Sequence, residues 1–123
     1  ENLFIDEVDS EICFRIIESG YKVIQLNKIR MFHELGNLEK RNFFTRKISV
    51  LNHNHIRKYY IMRNKFYMLK KYKKYRSRYI YYILNDFFKV IFYEKDKLRK
   101  LKYMFKGITD FMKNKMGELD DGK

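Results

Sequence analysis

The sequence lacks proline and tryptophan and has a single cysteine, Cys13. Proline is the residue that most strongly breaks helix interiors, so its absence favours long helices. One cysteine cannot form an internal disulfide, and nothing in the sequence indicates an oxidising compartment. Aromatic residues, in contrast, are abundant, with 11 Tyr and 11 Phe among 123 residues. This composition argues against a disordered chain and predicts a domain with a buried core.

Acidic side chains are scarce beyond residue 20. Residues 1–20 contain six acids and one base, Arg15, whereas residues 40–106 contain 21 Lys or Arg against three acids. The whole chain carries a formal net charge of +13. This asymmetry indicates that the second part has an anionic partner. The partner would be a membrane surface, a nucleic acid or a phosphorylated substrate. The alternative is a solvated lysine-rich surface without a specific partner.

Apolar residues recur with a helical period in the acidic part. Val8, Ile12 and Ile16 lie four residues apart, which predicts a helix over residues 7–19. Asp6 is the predicted N-cap, and the Ser-Gly pair after the last apolar position predicts the end of the helix. The acids of this part therefore collect at the start of a helix.

Two strands and a long helical region are predicted to follow. Residues 21–34 and 43–52 have strand-like patterns, and helical periodicity continues without a break over 56–107. The lysine-rich segment 70–78 predicts a helix end or a corner. Residues 79–93 are almost wholly apolar or aromatic. They are fewer than the roughly 20 residues that a membrane-spanning helix needs.

These patterns predict a mainly α fold with a small β portion, in two parts. Residues 1–52 form a helix-strand-strand unit, and residues 53–123 form a basic, aromatic-rich helical extension. The aromatic side chains of the extension either form the core of a helical bundle or face a membrane. In the second case their basic neighbours would contact anionic lipid.

Two sequence blocks restrict the functions that this chain could have. The first reads F-I-D-x-V-D-x-E-x-x-x-R over residues 4–15 and is followed by G-Y-K at 20–22 and H-x-L-G at 33–36. The second reads R-x-Y-Y-x-x-R-N over residues 57–64. In this order the two blocks resemble the end of the catalytic domain in family 2 glycosyltransferases. The branch they resemble is the rhamnosyltransferase-like enzymes that build bacterial surface polysaccharides.

The resemblance implies roles for individual residues. Asp9 stands where the family places its catalytic base, and His33 matches a histidine that helps to hold the divalent metal of the nucleotide diphosphate. An inverting sugar transfer needs such a base, because the acceptor hydroxyl loses its proton as it attacks the anomeric carbon. Arg15, Arg57 and Arg63 match basic positions of the family near the donor phosphates or the acceptor. Asp6 and Glu11 match acids that recur in the family.

The family also has a nucleotide-binding half with an Asp-x-Asp metal motif, which this sequence does not supply. The resemblance therefore implies a C-terminal remnant of a GT-A type α/β catalytic domain that is inactive alone. Its divalent metal, Mn or Mg, is expected only with the nucleotide-binding half. The parent enzyme would move a sugar, rhamnose by its branch, from an NDP-sugar to a cell-surface polysaccharide or a lipid-linked acceptor. Its expected location is cytoplasmic, peripheral to the inner face of the cell membrane.

Simpler interpretations exist for each feature. Asp9 in a first helical turn also stabilises the helix dipole, and His33 alone is typical of a hydrogen-bonded strand end. Arg57 and Arg63 lie six residues apart and so point to different helix faces. For the whole chain, one alternative is a non-enzymatic basic helical module that binds nucleic acid, with tyrosines between its cations stacking on bases. Another is a homo-oligomer formed by a purely structural helical domain.

Overall fold

The computed structural model describes residues 3–28, 38–43 and 46–119. The described chain is mainly α with a small β portion, as the sequence predicted. Its elements in chain order are α1 (Val8–Glu18), β1 (Leu38–Phe43), β2 (Arg46–Leu51), α2 (His55–Lys71), a 3-10 turn (Lys73–Tyr75), α3 (Arg76–Phe92) and α4 (Lys97–Met112).

The β portion is one antiparallel hairpin. β1 pairs with β2 from Leu38 opposite Leu51 to Phe43 opposite Arg46. The strand predicted over 43–52 is confirmed for residues 46–51, which form β2, whereas Phe43 is the last residue of β1. The strand predicted over 21–34 is wrong for residues 21–26, which have no regular structure and are exposed, while 29–34 lie outside the described residues. The alternation of apolar residues is present there, but no described strand lies beside it, and an isolated strand is not stable in water.

The helical part is built around α2. One core cluster joins α2 to α3 and α4 through Met62, Ile83, Val90 and Met104. The approach of α4 to α2 is especially close at Gly107, where a Cβ atom would lie 2.5 Å from the carbonyl oxygen of Tyr59. Only glycine fits this crossing without a shift of backbone, so Gly107 sets the spacing of the two helices.

A second core cluster connects the acidic part to the helical part. Leu3 is buried with Met68, Tyr72 and Tyr79, and Phe14 of α1 packs against them. Phe14 also stacks on Tyr75 with a ring-centroid distance of 4.2 Å. The acidic segment therefore packs directly on α2, the turn and α3.

The helix boundaries follow local chemistry. Asn54 is the N-cap of α2 and accepts a hydrogen bond of 2.8 Å from the backbone N–H of Arg57. The basic segment 70–78 holds the end of α2, the 3-10 turn and the start of α3, which confirms the predicted corner. No helix within the described ranges is both long and apolar enough to cross a membrane.

Candidate functional site at the junction of α1 and α2

The two sequence blocks that carry the family resemblance meet in the structure. Arg57 donates from Nε and Nη2 to the two carboxylate oxygens of Asp6, each at 3.2 Å. Asn64 donates from Nδ2 to the carbonyl oxygens of Ile5 and Asp6. Arg57 and Asn64 are seven residues apart, which is two helical turns, so they lie on one face of α2. Arg57 and Asn64, the first and last residues of the second block, thus bind neighbouring residues, 5 and 6, of the first block.

The segment that they hold has an unusual backbone. Asp6 and Glu7 have φ of 62° and 63°, in the left-handed region. For residues other than glycine this conformation costs about 1–2 kcal/mol each. The contacts of Asp6 with Arg57 and Asn64 hold one side of this segment. On the other side, the hydroxyl of Tyr79 donates a 2.8 Å hydrogen bond to the Glu7 carboxylate. Asp96 and Asn114 also have positive φ, of 54° and 56°, so what distinguishes Asp6 and Glu7 is that two consecutive residues are held in this conformation by contacts on both sides.

The predicted N-cap at Asp6 is wrong. Glu7 occupies the N-cap position of α1, and its side chain makes no capping hydrogen bond. The carboxylate of Asp6 is engaged with Arg57 instead, because the left-handed backbone turns it towards α2 and away from the first N–H groups of α1.

Asp9 lies in the first turn of α1 and is exposed. Its carboxylate makes no hydrogen bond or ion pair with any residue that the structure describes. Negative charge is favourable at this end of a helix because the N–H groups there have no partners within the helix. The carboxylate is therefore available both as a proton acceptor and as a simple dipole-stabilising charge.

Glu11, in contrast, is fully engaged. It accepts hydrogen bonds of 2.6 Å from Lys71 Nζ and 3.1 Å from the hydroxyl of Tyr72, and its carboxylate lies 3.5 Å from Arg15. Burial alone raises the pKa of Glu11, but the hydrogen bonds and charges of its partners outweigh it and lower the pKa overall. The same hydrogen bond from Lys71 raises the pKa of that lysine. Glu11 therefore ties α1 to the end of α2.

Arg63 belongs to a different environment. It is 1% exposed, and its guanidinium carbon lies 5.2 Å and 5.1 Å from the ring centroids of Tyr59 and Tyr60. Its Nη2 donates 2.7 Å to the carbonyl oxygen of Gly117. Arg57 is exposed and Arg63 is enclosed, so the two arginines do not converge on one ligand. Burial also raises the pKa of Tyr59, which donates to Asp110 at 3.0 Å.

A polar cavity of about 210 Å³ lies beside the strained segment and is lined by Asp6, Glu7 and His53 among others. Burial lowers the pKa of His53, and the nearby positive charges of Arg57 and Lys58 lower it further. Glu94 forms another wall of the cavity, where it bonds Lys58 at 2.6 Å and Lys100 at 2.9 Å. All three of these charged side chains are buried.

The structure brings together some of the predicted site residues and separates others. Asp6 meets Arg57 and Glu11 meets Arg15, while Asp9 and Arg63 stand apart from both pairs. His33 lies outside the described residues. Within residues 3–28, 38–43 and 46–119, no group of three or more His, Cys, Asp or Glu side chains could hold a metal ion. The described residues therefore do not fit a metal by themselves.

Two features were missed by sequence reasoning. Asn64 was recognised only as part of a motif, and its spacing of seven from Arg57 was the signal that could have linked both to one partner. The buried group of Glu94, Lys58 and Lys100 was not foreseen. The scarcity of acids among the basic residues 40–106 could have suggested it, because buried lysines need a counter-charge.

Comparisons with known proteins give one partial similarity. No protein-family model matches the chain, and no solved structure matches it. The chain is 37% identical over 71 residues to the dTDP-rhamnosyl transferase RfbF of Shigella flexneri. That stretch covers 58% of this chain and 23% of the relative, so the chain spans about a quarter of the length of the protein it matches. The similarity supports a glycosyltransferase-like relationship for the part of the chain that it covers.

Proposed function

We propose that this chain is the C-terminal part of a family 2 glycosyltransferase that moves a sugar from an NDP-sugar to a glycan or lipid-linked acceptor. The observation that carries the proposal is the 37% identity over 71 residues to a dTDP-rhamnosyl transferase. The donor proposed from that name is dTDP-rhamnose. The docking of the two sequence blocks through Asp6, Arg57 and Asn64 supports it, since it makes one built site of both.

Asp9 is the proposed general base. The acceptor hydroxyl would give its proton to the Asp9 carboxylate while its oxygen forms a bond to the anomeric carbon. The bond from that carbon to the diphosphate oxygen breaks, and the nucleoside diphosphate leaves with the electron pair. Asp9 suits this task because its carboxylate is exposed and without a partner among the described residues, and general-base catalysis needs an accessible acceptor of the proton.

Arg57 and Asn64 act in this proposal as positioning residues. Their contacts fix the turn at residues 6 and 7, from which α1 begins, and so set where Asp9 points. Arg15 has an exposed side chain on α1 and is the proposed cation for the donor phosphates, whose leaving-group charge needs stabilisation. A divalent metal, Mn or Mg, would supply further stabilisation; we assign it to the nucleotide-binding half, with His33 as the contribution of this chain.

The proposed location is the cytoplasmic side of the membrane, where a lipid-linked acceptor would be reached by a peripheral enzyme. The formal charge of +13 supports an anionic membrane surface as a partner. The exposed isoleucines of α1, namely Ile12, Ile16 and Ile17, are proposed to pack on the rest of the catalytic domain. The relative is about four times as long as the matched stretch, which supports a further part of the domain on which these side chains would pack.

The proposal is tested by Asp9→Asn in the full-length transferase. We expect transfer from dTDP-rhamnose to fall about 10²–10⁴-fold, which is the usual contribution of a general base. Binding of dTDP-rhamnose, measured by calorimetry, should change little because Asp9 faces the acceptor. Glu18→Gln is the matched control, since it neutralises an exposed acid at the other end of α1. Near-normal transfer by Asp9→Asn would remove Asp9 as the base.

A further inference from the structure

Helix α3 carries an apolar stripe that no described part of the chain covers. Leu84, Tyr81 and Phe92 are 63%, 64% and 62% exposed. Together with two exposed neighbours they lie on one face of the helix. We call this face the α3 stripe; its members are Ile80, Tyr81, Leu84, Ile91 and Phe92. The opposite face of α3 holds its buried residues, Tyr79, Ile83 and Val90.

The stripe is bordered by positive charge. Four exposed cations, Lys73, Lys74, Arg76 and Arg78, stand in the turn that leads into α3 and in its first residues. None of the four makes an ion pair with a carboxylate among the described residues, although Lys74 and Arg78 lie over the ring of Tyr75. Lys89 of α3 lines the polar cavity beside Asp6 and Glu7 instead. Asp86 of α3 pairs with Lys65, and Glu94 is buried with its lysines.

Exposed apolar side chains also lie elsewhere among the described residues, on α4 at Leu98, Phe105 and Met112, on α1, and in the segment after α1. Ile24 and Leu26, in the segment after α1, are 77% and 66% exposed. Their neighbour α1 carries the acids Asp9, Glu11 and Glu18. The same part of the chain also carries Arg15, Lys22 and Lys28, so its charges nearly cancel, whereas the four cations beside the α3 stripe have no acidic partner among the described residues. An anionic surface would therefore be attracted more strongly by the α3 stripe.

We propose that the α3 stripe is the face with which the protein lies on an anionic lipid bilayer. Aromatic and aliphatic side chains along one side of a surface helix, with unpaired Lys and Arg at its borders, have the composition of interfacial helices. The cations would contact lipid headgroups while the stripe enters the boundary between headgroups and acyl chains. The inference rests on the membrane location in the proposed function and names the surface that provides it.

Vesicle co-sedimentation of the 123-residue chain tests the inference. We expect binding to phosphatidylcholine vesicles that contain phosphatidylserine, weaker binding at high salt, and little binding to phosphatidylcholine alone. In Leu84→Asp/Phe92→Asp the affinity for the anionic vesicles should fall about tenfold or more, because two exposed apolar side chains that would enter the lipid are replaced by charges. Circular dichroism should show unchanged helicity, since both side chains are exposed.

Ile24→Asp/Leu26→Asp is the matched control. It removes two exposed apolar side chains and changes the net charge by the same amount, but in the segment after α1. Its affinity for anionic vesicles should stay within about twofold of the unaltered chain, because charge far from the lipid surface is screened. An equal loss in both double variants would show that net charge, not the α3 stripe, decides binding, and the inference would be wrong.

Other occupants of the stripe give different results. If Leu84→Asp/Phe92→Asp converts a dimer into a monomer in light scattering and leaves vesicle binding unchanged, the stripe is a self-association surface. If the chain binds single-stranded DNA with a steep salt dependence but no vesicle, the anionic partner is nucleic acid. Either result overturns the inference. Neither bears on the catalytic proposal, which transfer to a soluble acceptor by the full-length enzyme tests separately.

Discussion

Helices α2 and α3 have the same length of 17 residues, yet the more polar of the two is the more deeply buried. α2 buries eight residues, three of which are Lys58, Arg63 and Asn64, whereas α3 buries three. Each of these three buried polar groups has a specific partner, as with Lys58 and Glu94 or Asn64 and the carbonyl of Ile5. Burial in this protein therefore follows available partners, and apolar character alone does not determine it.

The buried charges around α2 give the largest expected effect. Glu94→Ala leaves Lys58 and Lys100 without their carboxylate in a closed environment. Removing one member of a buried ion pair typically costs about 3–5 kcal/mol, so we expect the free energy of unfolding to fall by that amount in urea titrations. Leu84→Ala on α3 is the control and should change it by no more than about 0.5 kcal/mol, because the side chain is exposed. Equal losses in both variants would break the contrast between the helices.

The contact of α2 with α4 gives the next effect. Gly107→Ala places a Cβ atom against the carbonyl oxygen of Tyr59, a backbone atom that cannot swing away. Overpacking of this kind costs about 1–3 kcal/mol, although alanine is the better helix former. A lower thermal midpoint in calorimetry would confirm the close crossing. A higher midpoint would mean that helix propensity prevails and that α4 stands farther from α2.

The start of α2 gives the smallest effect, which depends on pH. The pKa of His53 is lower in the folded protein than the usual 6.5, so the unfolded chain binds more protons there. The resulting stability is complete above pH 6.5 and is lost as pH falls towards the folded pKa. We expect the unfolding free energy to decline between neutral pH and pH 5, and the decline to be shallower in His53→Asn. An unchanged slope in that variant would contradict the burial of His53.

Much of the secondary structure could be predicted from local patterns. The helix over 7–19 and the strand over 43–52 were recognised because apolar periodicity records which side of an element is covered. The strand over 21–34 failed in its described part for the opposite reason. Val23, Ile24 and Leu26 alternate with polar residues, but they are exposed, and a periodic pattern does not show whether a neighbouring strand exists.

The candidate site was predictable only in its composition. The resemblance pointed to Asp6, Arg57 and the other charged residues, but not to which of them touch. Asn64 bonds carbonyl groups 58 and 59 residues away, a separation that no local pattern reaches. The left-handed backbone of Asp6 and Glu7 was equally hidden, since neither residue is glycine and the strain is held by those distant contacts.

Arg57 and Asn64 both bind the segment of residues 5 and 6, so their spacing along α2 determines whether that segment can be held. The two side chains reach the same target only because seven residues return almost to the same side of a helix after two turns. A single residue inserted between them would rotate one by about 100° around the axis and carry it out of reach. A substitution between positions 57 and 64 is therefore tolerated wherever the new side chain can pack. An insertion or deletion between them is not, because it breaks the contacts of Arg57 or Asn64.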